Sequence, residues 1–172
     1  MSPTITSGFA IPPSVISLKV RYPLAFPLSL SLASTLIVAG VYIDYRYFDA
    51  YNVTPRFEFG YGLSYTNFTY TELNVPSIEA LSVYPSGKKS VGGPMDLWDV
   101  IANVTVSVTN TGGRAGAEIP QLYVSYPDSA KQPVRQLRGF ERVELARREK
   151  SMVTFPIRRR DVSYWDVEAQ QW

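Results

Sequence analysis

Strict alternation of apolar and polar residues over positions 103–109 constrains this chain more than any other sequence feature. Val104, Val106 and Val108 fall on one face of an extended segment, while the residues between them carry hydroxyl or amide groups. A period of two is that of a β-strand with one buried face. The glycines of the next segment, residues 110–113, adopt positive φ without strain, so a turn is expected directly after the strand.

Four other segments have the composition of strands and are bounded by Gly, Pro or charged residues. They are Phe68–Leu73, Gln121–Tyr126, Phe140–Leu145 and Val153–Ile157. Recurring short strands with turns between them, and no long helical period, predict an all-β fold built as an antiparallel β-sandwich. Between about Asn74 and Pro94 the sequence is rich in Pro, Gly, Ser and Lys, which predicts a long exposed loop.

The absence of two residue types excludes several kinds of chemistry. Among the 172 residues there is no Cys and no His, so disulfides, thiol nucleophiles, Cys/His zinc sites and Ser-His-Asp triads are excluded. With 17 basic and 15 acidic residues, the net charge of +2 is too small to indicate a nucleic-acid partner. We expect no cofactor and no metal, and only carboxylate, Tyr or Lys chemistry remains open.

The first forty residues differ in composition from the rest. They contain Lys19, Arg21 and no acidic residue, whereas basic and acidic residues balance from Val41 onward. The uncharged, mostly apolar run Tyr22–Ile43 has the character of a signal-peptide core, and Val38–Gly40 supplies the small residues of a cleavage site. Prolines and serines interrupt the run. Three interpretations therefore stay open: a signal or anchor, an irregular lead-in, and, least favoured, a membrane-spanning helix.

Three Asn-X-Thr sequons, at Asn52, Asn67 and Asn103, are candidate N-glycosylation sites. Asn103 falls on the polar face of its predicted strand, where a glycan would be solvated. Pro55 follows the first sequon and makes Asn52 the weakest of the three candidates.

Six motifs stand in order along the chain from Val41 to Trp172. They are Val41–Asp49, Thr54–Thr66, Val106–Gly112, Gly116–Val124, Leu137–Val143 and Arg160–Asp166. In this order and approximate spacing they resemble the C-terminal part of fungal glycoside hydrolase family 3 β-glucosidases. In that family the first two motifs close an α/β sandwich domain and lead into a fibronectin type III-like domain. The resemblance covers about three-quarters of the chain.

The resemblance implies a domain organisation. Residues 1–40 form an unmatched lead-in, residues 41–66 close the α/β sandwich domain and link it onward, and residues 67–172 form an incomplete, immunoglobulin-like (fibronectin type III-like) β-sandwich. Family members usually continue beyond the Trp-Asp motif, so we expect a fragment that lacks its last strand or strands. Exposed apolar surface and an unpaired strand edge are expected to make such a fragment prone to aggregation.

The resemblance also implies a function. The parent would be a secreted, extracellular β-glucosidase that hydrolyses terminal β-D-glucosyl residues during cellulose breakdown. Its catalytic residues lie in domains upstream of the matched segment, and these domains would be the packing partner of this chain. The part present here is then expected to be a non-catalytic stabilising domain without activity of its own.

Asp44 and Asp49 form the nearest pair of acids in the matched segment. Retaining glycoside hydrolysis needs two carboxyl groups about 5–5.5 Å apart. Five positions along an extended segment would instead place the two on opposite faces, about 16 Å apart. We therefore expect no catalytic residue in this chain, and a structural ion pair between Arg46 and one of these acids.

A Gly-x-Gly sequence within Phe59–Leu63 lacks the third glycine, the Lys and the following helix of a phosphate-binding loop. We interpret the segment as a packing device, because apolar side chains recur there at every second position. We call this row the aromatic comb and expect it to contact a neighbouring domain. Its members are Phe57, Phe59, Tyr61, Leu63 and Tyr65.

A second functional interpretation remains open, namely a secreted module that binds carbohydrate or lignin and has no catalytic parent. Trp98, Trp165 and Trp172 are candidates for stacking on sugar rings, although Trp165 lies in a family motif and is expected to close the core. The Arg-rich C-terminal third is interpreted as the charged, exposed faces of edge strands rather than as a site for polyanions.

Overall fold

The computed structural model describes residues 16–19, 23–24, 40–78 and 81–172. The elements in these ranges are β1 (Ile16–Lys19), β2 (Pro23–Leu24), α1 (Tyr45–Ala50), β3 (Arg56–Phe57), β4 (Phe68–Asn74), β5 (Lys89–Ser90), β6 (Gly93–Pro94), β7 (Val100–Asn110), β8 (Gly116–Glu118), β9 (Gln121–Ser125), β10 (Arg135–Phe140), β11 (Val143–Leu145) and β12 (Lys150–Arg158). Single 3₁₀ turns occupy Met95–Trp98, Asp128–Ala130 and Arg159–Val162. Every pairing between these strands is antiparallel.

The first sheet is centred on β7, which pairs with β12 on one edge and β4 on the other. Val106 lies opposite Val153 of β12, and Thr109 lies opposite Thr69 of β4. Val104, Val106 and Val108 are all at most 1 % exposed. The strand predicted from their alternation is therefore confirmed, and it ends at Asn110 before the predicted turn.

The second layer contains a three-stranded sheet in the order β1-β9-β10 and the separate pair β11-β8. Its central strand β9 contributes Leu122 and Val124, both fully buried, to the core between the layers. The core also contains Ile78, Ala102, Val104, Val106, Val108, Leu145, Val153, Phe155 and Ile157. Two antiparallel layers around one apolar core confirm the predicted all-β sandwich.

Two strand predictions need correction. The run predicted over Phe140–Leu145 is two strands, because β10 ends at Phe140 and pairs with β9, whereas β11 begins at Val143 and pairs with β8. The exposed loop predicted between Asn74 and Pro94 is only partly exposed. Ile78 is 3 % exposed within the core, and the short β5-β6 hairpin orders the end of the segment. Single apolar residues in a polar segment carry no period from which their burial could be predicted.

The lead-in lies largely outside the described residues. Its backbone is described where β1 pairs with β9 and where β2 pairs with β3. The signal-like run predicted over Tyr22–Ile43 falls mostly beyond these ranges. In the part of the chain that the structure describes, no helix is long and apolar enough to cross a membrane.

The end of β7 is held by the fully buried side chain of Asn110. Its Oδ1 accepts hydrogen bonds from Thr66 Oγ1 at 2.7 Å and from Gly112 N at 3.1 Å. Its Nδ2 donates to the carbonyl oxygens of Arg114 at 2.7 Å and Leu145 at 3.1 Å. One amide group thereby joins the segment before β4, the turn after β7, and β11 of the other layer.

Replacing Asn110 with Ala is expected to lower the free energy of unfolding by about 3 kcal/mol, because it leaves several buried polar groups without a partner. Urea unfolding followed by tryptophan fluorescence measures the change. Asn103→Ala, on the exposed face of the same strand, is the matched control and should cost no more than about 0.5 kcal/mol. A loss below about 1 kcal/mol for Asn110→Ala would contradict the role assigned to this side chain.

Candidate functional site

A cavity of about 210 Å³ opens between α1, the segment of the aromatic comb and the β8-β9-β10 side of the sandwich. Its lining is aromatic and acidic, with one basic residue. It includes Asp44, Tyr45, Phe48, Asp49, Glu58, Phe59, Tyr61, Tyr70, Glu118, Gln121, Tyr123 and Arg135. The cavity marks the junction where the residues predicted to belong to a preceding domain meet the sandwich.

The helix α1 replaces the extended segment that was expected over Asp44–Asp49. Tyr45, Phe48 and Asp49 stand at positions i, i+3 and i+4 and all line the cavity, so one helical face is directed towards the sandwich. Before the helix, Asp44 has a φ of 56° and its carbonyl oxygen accepts the N–H of Phe48 at 3.2 Å. A period of 3.6 was therefore present in the sequence but too short to stand out.

The helix is fixed to the sandwich by an ion pair between Asp49 and Arg135 of β10. Arg135 Nε donates to Asp49 Oδ2 at 2.5 Å, and Arg135 Nη2 donates to Asp49 Oδ1. Both side chains are about four-fifths buried. The expected pairing of an acid with Arg46 is wrong, because Arg46 contacts the Tyr45 hydroxyl and the carbonyl oxygen of Val41 instead.

Two further contacts join the same surfaces. The backbone N–H of Leu137 donates to the Tyr45 hydroxyl at 2.8 Å, and the ring of Tyr45 meets that of Tyr123 edge-on at 5.5 Å. The Tyr123 hydroxyl donates to Gln121 Oε1 at 2.6 Å. Burial is the main cause that raises the pKa of Tyr123, and the neighbouring Tyr45 raises it further, so the hydroxyl stays protonated. This tyrosine is a structural donor.

The five side chains of the aromatic comb are all exposed, but to different degrees and with different neighbours. Phe59 contacts Tyr45 at 5.3 Å and lines the cavity, whereas Phe57 and Tyr61 contact each other at 5.2 Å. Leu63 and Tyr65 are 92 % and 95 % exposed. The comb therefore has a half-exposed part, in which Phe59 contacts α1, and an outer end, Leu63 and Tyr65, that is almost fully exposed.

The bend of the comb depends on Gly60. Its φ is +75°, and a Cβ built at this position would lie 1.9 Å from Gln121 Nε2. No side chain fits there unless Gln121 moves. The interpretation of this segment as a close-packed bend, and not as a phosphate loop, agrees with this geometry.

Two acidic groups outside the cavity, Asp96 and Glu72, have structural partners. Asp96 accepts the backbone N–H groups of Ser86 and Gly87 and pairs with Arg159 at 3.3 Å. Burial raises the pKa of Asp96, but the two backbone donors and Arg159 outweigh it, so the net pKa is lowered. The pKa of Glu72 is also lowered, and its hydrogen bond with Lys150 is the largest cause of this shift. Among the described residues, no group of three acidic side chains is arranged to hold a metal ion.

The tryptophans and the Arg-rich region are placed differently from expectation. Trp165 is 43 % exposed and contacts Trp172 at 5.8 Å, so the expectation that it closes the core is wrong. The Arg160 guanidinium lies 4.7 Å from the ring of Trp98 and covers one face of it. Arg159 is 9 % exposed, which makes this arginine a buried structural group and not part of a charged strand face.

The three sequon asparagines, Asn52, Asn67 and Asn103, are all exposed. Asn103 lies opposite Pro156 in the register of β7 and β12, with its side chain on the face away from the core. The geometry leaves room for a glycan at each position, and modification itself stays a prediction.

Comparison with known proteins places this geometry in context. Residues 118–172 match the model of the fibronectin type III-like domain. The probable β-glucosidase D of Aspergillus niger is 65 % identical over 133 residues, which are 77 % of this chain and 18 % of that protein. The β-glucosidase cel3A of Pyricularia oryzae is 54 % identical over 136 residues, which are 77 % of this chain and 19 % of that protein.

Solved structures agree with the sequence comparison. The β-D-glucoside glucohydrolase of Trichoderma reesei matches with a TM-score of 0.74 and 49 % identity, over 79 % of this chain and 19 % of that one. The glycoside hydrolase family 3 β-glucosidase of Neurospora crassa matches with a TM-score of 0.67 and 27 % identity, over 78 % and 25 %. The resemblance predicted from the motifs is confirmed, and the chain spans about one-fifth of the length of these relatives.

Replacing Gly60 with Ala is expected to destabilise the protein by about 1–2 kcal/mol, because the new Cβ meets Gln121 and the positive φ is strained. Thermal and urea unfolding measure the loss. Gly113→Ala is the matched control, since a Cβ added there would meet nothing within 4 Å and its φ is not positive. Adding Gln121→Ala to Gly60→Ala should recover the steric part of the loss but not the backbone part. Equal effects of the two glycine substitutions would contradict this account.

Proposed function

We propose that this chain, which carries a fibronectin type III-like domain and is similar to the C-terminal region of family 3 β-glucosidases, braces the catalytic domains of such an enzyme. The parent activity would be hydrolysis of terminal β-D-glucosyl residues of cellobiose and related glucosides in cellulose breakdown. One observation carries the proposal. The outer end of the aromatic comb, Leu63 and Tyr65, is more than nine-tenths exposed, although Phe59 in the same row contacts Tyr45 of α1.

Exposure of this kind favours a docking surface. Large apolar side chains grouped on a protein surface mark sites of contact with another surface. The segment that precedes the comb in the chain also exposes apolar side chains, namely Val41, Ile43, Tyr47, Tyr51 and Val53. Because α1 is fixed through Asp49 and Arg135, this surface is held in one orientation and loses little conformational entropy when a partner covers it.

The acids of the described chain support a non-catalytic role. Retaining glycosidases use one carboxylate as nucleophile and a second carboxyl group as acid and base. Both oxygens of Asp49 are occupied by Arg135, and Glu118 accepts the Tyr70 hydroxyl at 3.0 Å. A carboxylate whose two oxygens both accept hydrogen bonds from one guanidinium group has no oxygen free to approach a substrate. Hydrolysis would therefore be carried out by domains outside this sequence.

Polysaccharide contact would depend on the exposed tryptophans. Trp98 and Trp165 are 39 % and 43 % exposed. Arg160 covers one face of Trp98, and Trp172 meets Trp165 at an interplanar angle of 73°. A flat platform for a sugar chain needs coplanar, uncovered rings, so this arrangement favours the bracing role over the binding module.

Secretion of the parent enzyme would make the three sequons available for N-glycosylation. Expression of the chain behind a secretion signal in a filamentous fungus is expected to give glycans at Asn67 and Asn103, and lower occupancy at Asn52, where Pro55 follows the sequon. Intact-mass and peptide mass spectrometry before and after endoglycosidase treatment measure the occupancy, with Asn→Gln at each site as the control. A secreted product without any glycan would contradict this prediction.

Docking is tested by combining this chain with a relative from which the corresponding region has been removed. The Aspergillus niger relative, without the region matched by this chain, is co-expressed with the full chain, and complex formation and hydrolysis of p-nitrophenyl β-glucoside are measured. The chain alone is expected to give no turnover, and the complex is expected to be active and more heat-resistant than the truncated relative. Leu63→Asp should weaken the complex by about tenfold or more, because it places a charge in an apolar contact.

The control is Val91→Asp, which alters an equally exposed apolar residue in the β5-β6 turn. It should leave the complex within about twofold of the unmodified chain. Absence of any complex, or equal weakening by both substitutions, would contradict docking through the comb. Turnover by the chain alone that disappears with Asp44→Asn or Asp49→Asn would contradict the non-catalytic role.

A further inference from the structure

One neighbour of the central strand β9 comes from an unusual place in the chain. On one side β9 pairs with β10, which follows it directly. On the other side it pairs with β1, whose last residue, Lys19, lies opposite Gln121 and 102 positions before it. Among the strands that the structure describes, β1 comes before all the others, and it also precedes the first family motif at Val41.

The edge of β9 that faces away from β10, which we call its outer edge, lies in buried surroundings, so its backbone groups require hydrogen-bond partners. Leu122 and Val124 are fully buried on the core face, and Tyr123 is 4 % exposed on the opposite face beneath Tyr45. With both faces covered, water has little access to the backbone between them. N–H and C=O groups left unpaired along this edge would each incur the cost of a buried polar group without a hydrogen bond.

The strand that fills this edge is short. The register consists of four residue pairs, from Ile16 opposite Val124 to Lys19 opposite Gln121. A ladder this short contributes only a few backbone hydrogen bonds, each of which adds little net stability. Another strand can therefore exchange with β1, and extended peptides commonly bind proteins by adding a strand to a sheet edge.

We propose that the outer edge of β9 is a strand-acceptor site and that the segment Ile16–Lys19 is its built-in ligand. The site recognises an extended peptide through antiparallel backbone hydrogen bonds, so its ligand class is a β-strand and not a folded surface. This inference is independent of the docking of the aromatic comb, which lies outside the β1-β9 ladder.

Amide hydrogen exchange in the unmodified chain provides the first test. Along a strand paired on both edges, successive N–H groups donate alternately to the two neighbours. All amides from Gln121 to Val124 should therefore be protected. Protection of only every second amide would mean that β1 does not occupy the edge, and would overturn the proposal.

Proline substitution in the full chain provides the second test. Because N–H groups also alternate along β1, only one of the neighbouring residues Ser17 and Leu18 donates to β9. Of the variants Ser17→Pro and Leu18→Pro, one should release the edge and speed exchange of every second β9 amide by about tenfold or more. The other, with its proline facing outward, is the matched control and should resemble the unmodified chain.

Binding in trans completes the experiment. A fluorescent peptide with the sequence of residues 14–21 should bind the released variant at least about tenfold more tightly than the unmodified chain, whose own β1 competes from the same molecule. A peptide of scrambled sequence should not show this difference. Equal binding to both proline variants would overturn the proposal, because it would show adhesion without a backbone ladder. Absence of peptide binding to either variant would overturn it as well.

Discussion

The structure depends on the burial of the core-facing side chains of β7. This strand pairs on both edges and supplies three valines to the core, and its last residue, Asn110, hydrogen-bonds to three other segments. Apolar burial gives the sandwich its stability, but it has no direction. The buried amide of Asn110 specifies how the neighbouring turns are placed, because its oxygen and its NH₂ group must each meet their hydrogen-bond partners.

The sequence predicted those parts of the fold that follow from a local period. Alternation identified β7. The chain bends after it as predicted, but neither Gly112 nor Gly113 has the positive φ on which that prediction was based. Tyr123 was not expected to be buried, because alternation assigns it to a polar face, whereas α1 covers that face with Tyr45. Arg159 was missed for the same reason. An arginine is buried only where partners such as Asp96 and Ser82 meet it, and they come from distant positions.

In the candidate site, too, some features follow from the local sequence and others depend on residues that are distant in the chain. The comb and the bend at Gly60 followed from residue spacing, and the confirmed resemblance is to the C-terminal region of family 3 β-glucosidases. The contact that fixes the comb did not follow, because Asp49 and Arg135 are 86 positions apart and nothing in their local sequences links them. Arg46, three residues from Asp49, was the natural candidate, yet on a helix of six residues it is directed elsewhere.

The ion pair between Asp49 and Arg135 also bears on where a module of this type begins. Residues 45–50 precede the sandwich in the chain but are structurally part of it. Their helix is joined to β10 by a bidentate ion pair and to β9 by an edge-on contact between two tyrosine rings. Anyone who grafts this sandwich onto another enzyme should cut upstream of the helix. A cut at the apparent linker near Thr66 would leave Arg135 with no counter-ion and would expose the tyrosine that the helix shelters.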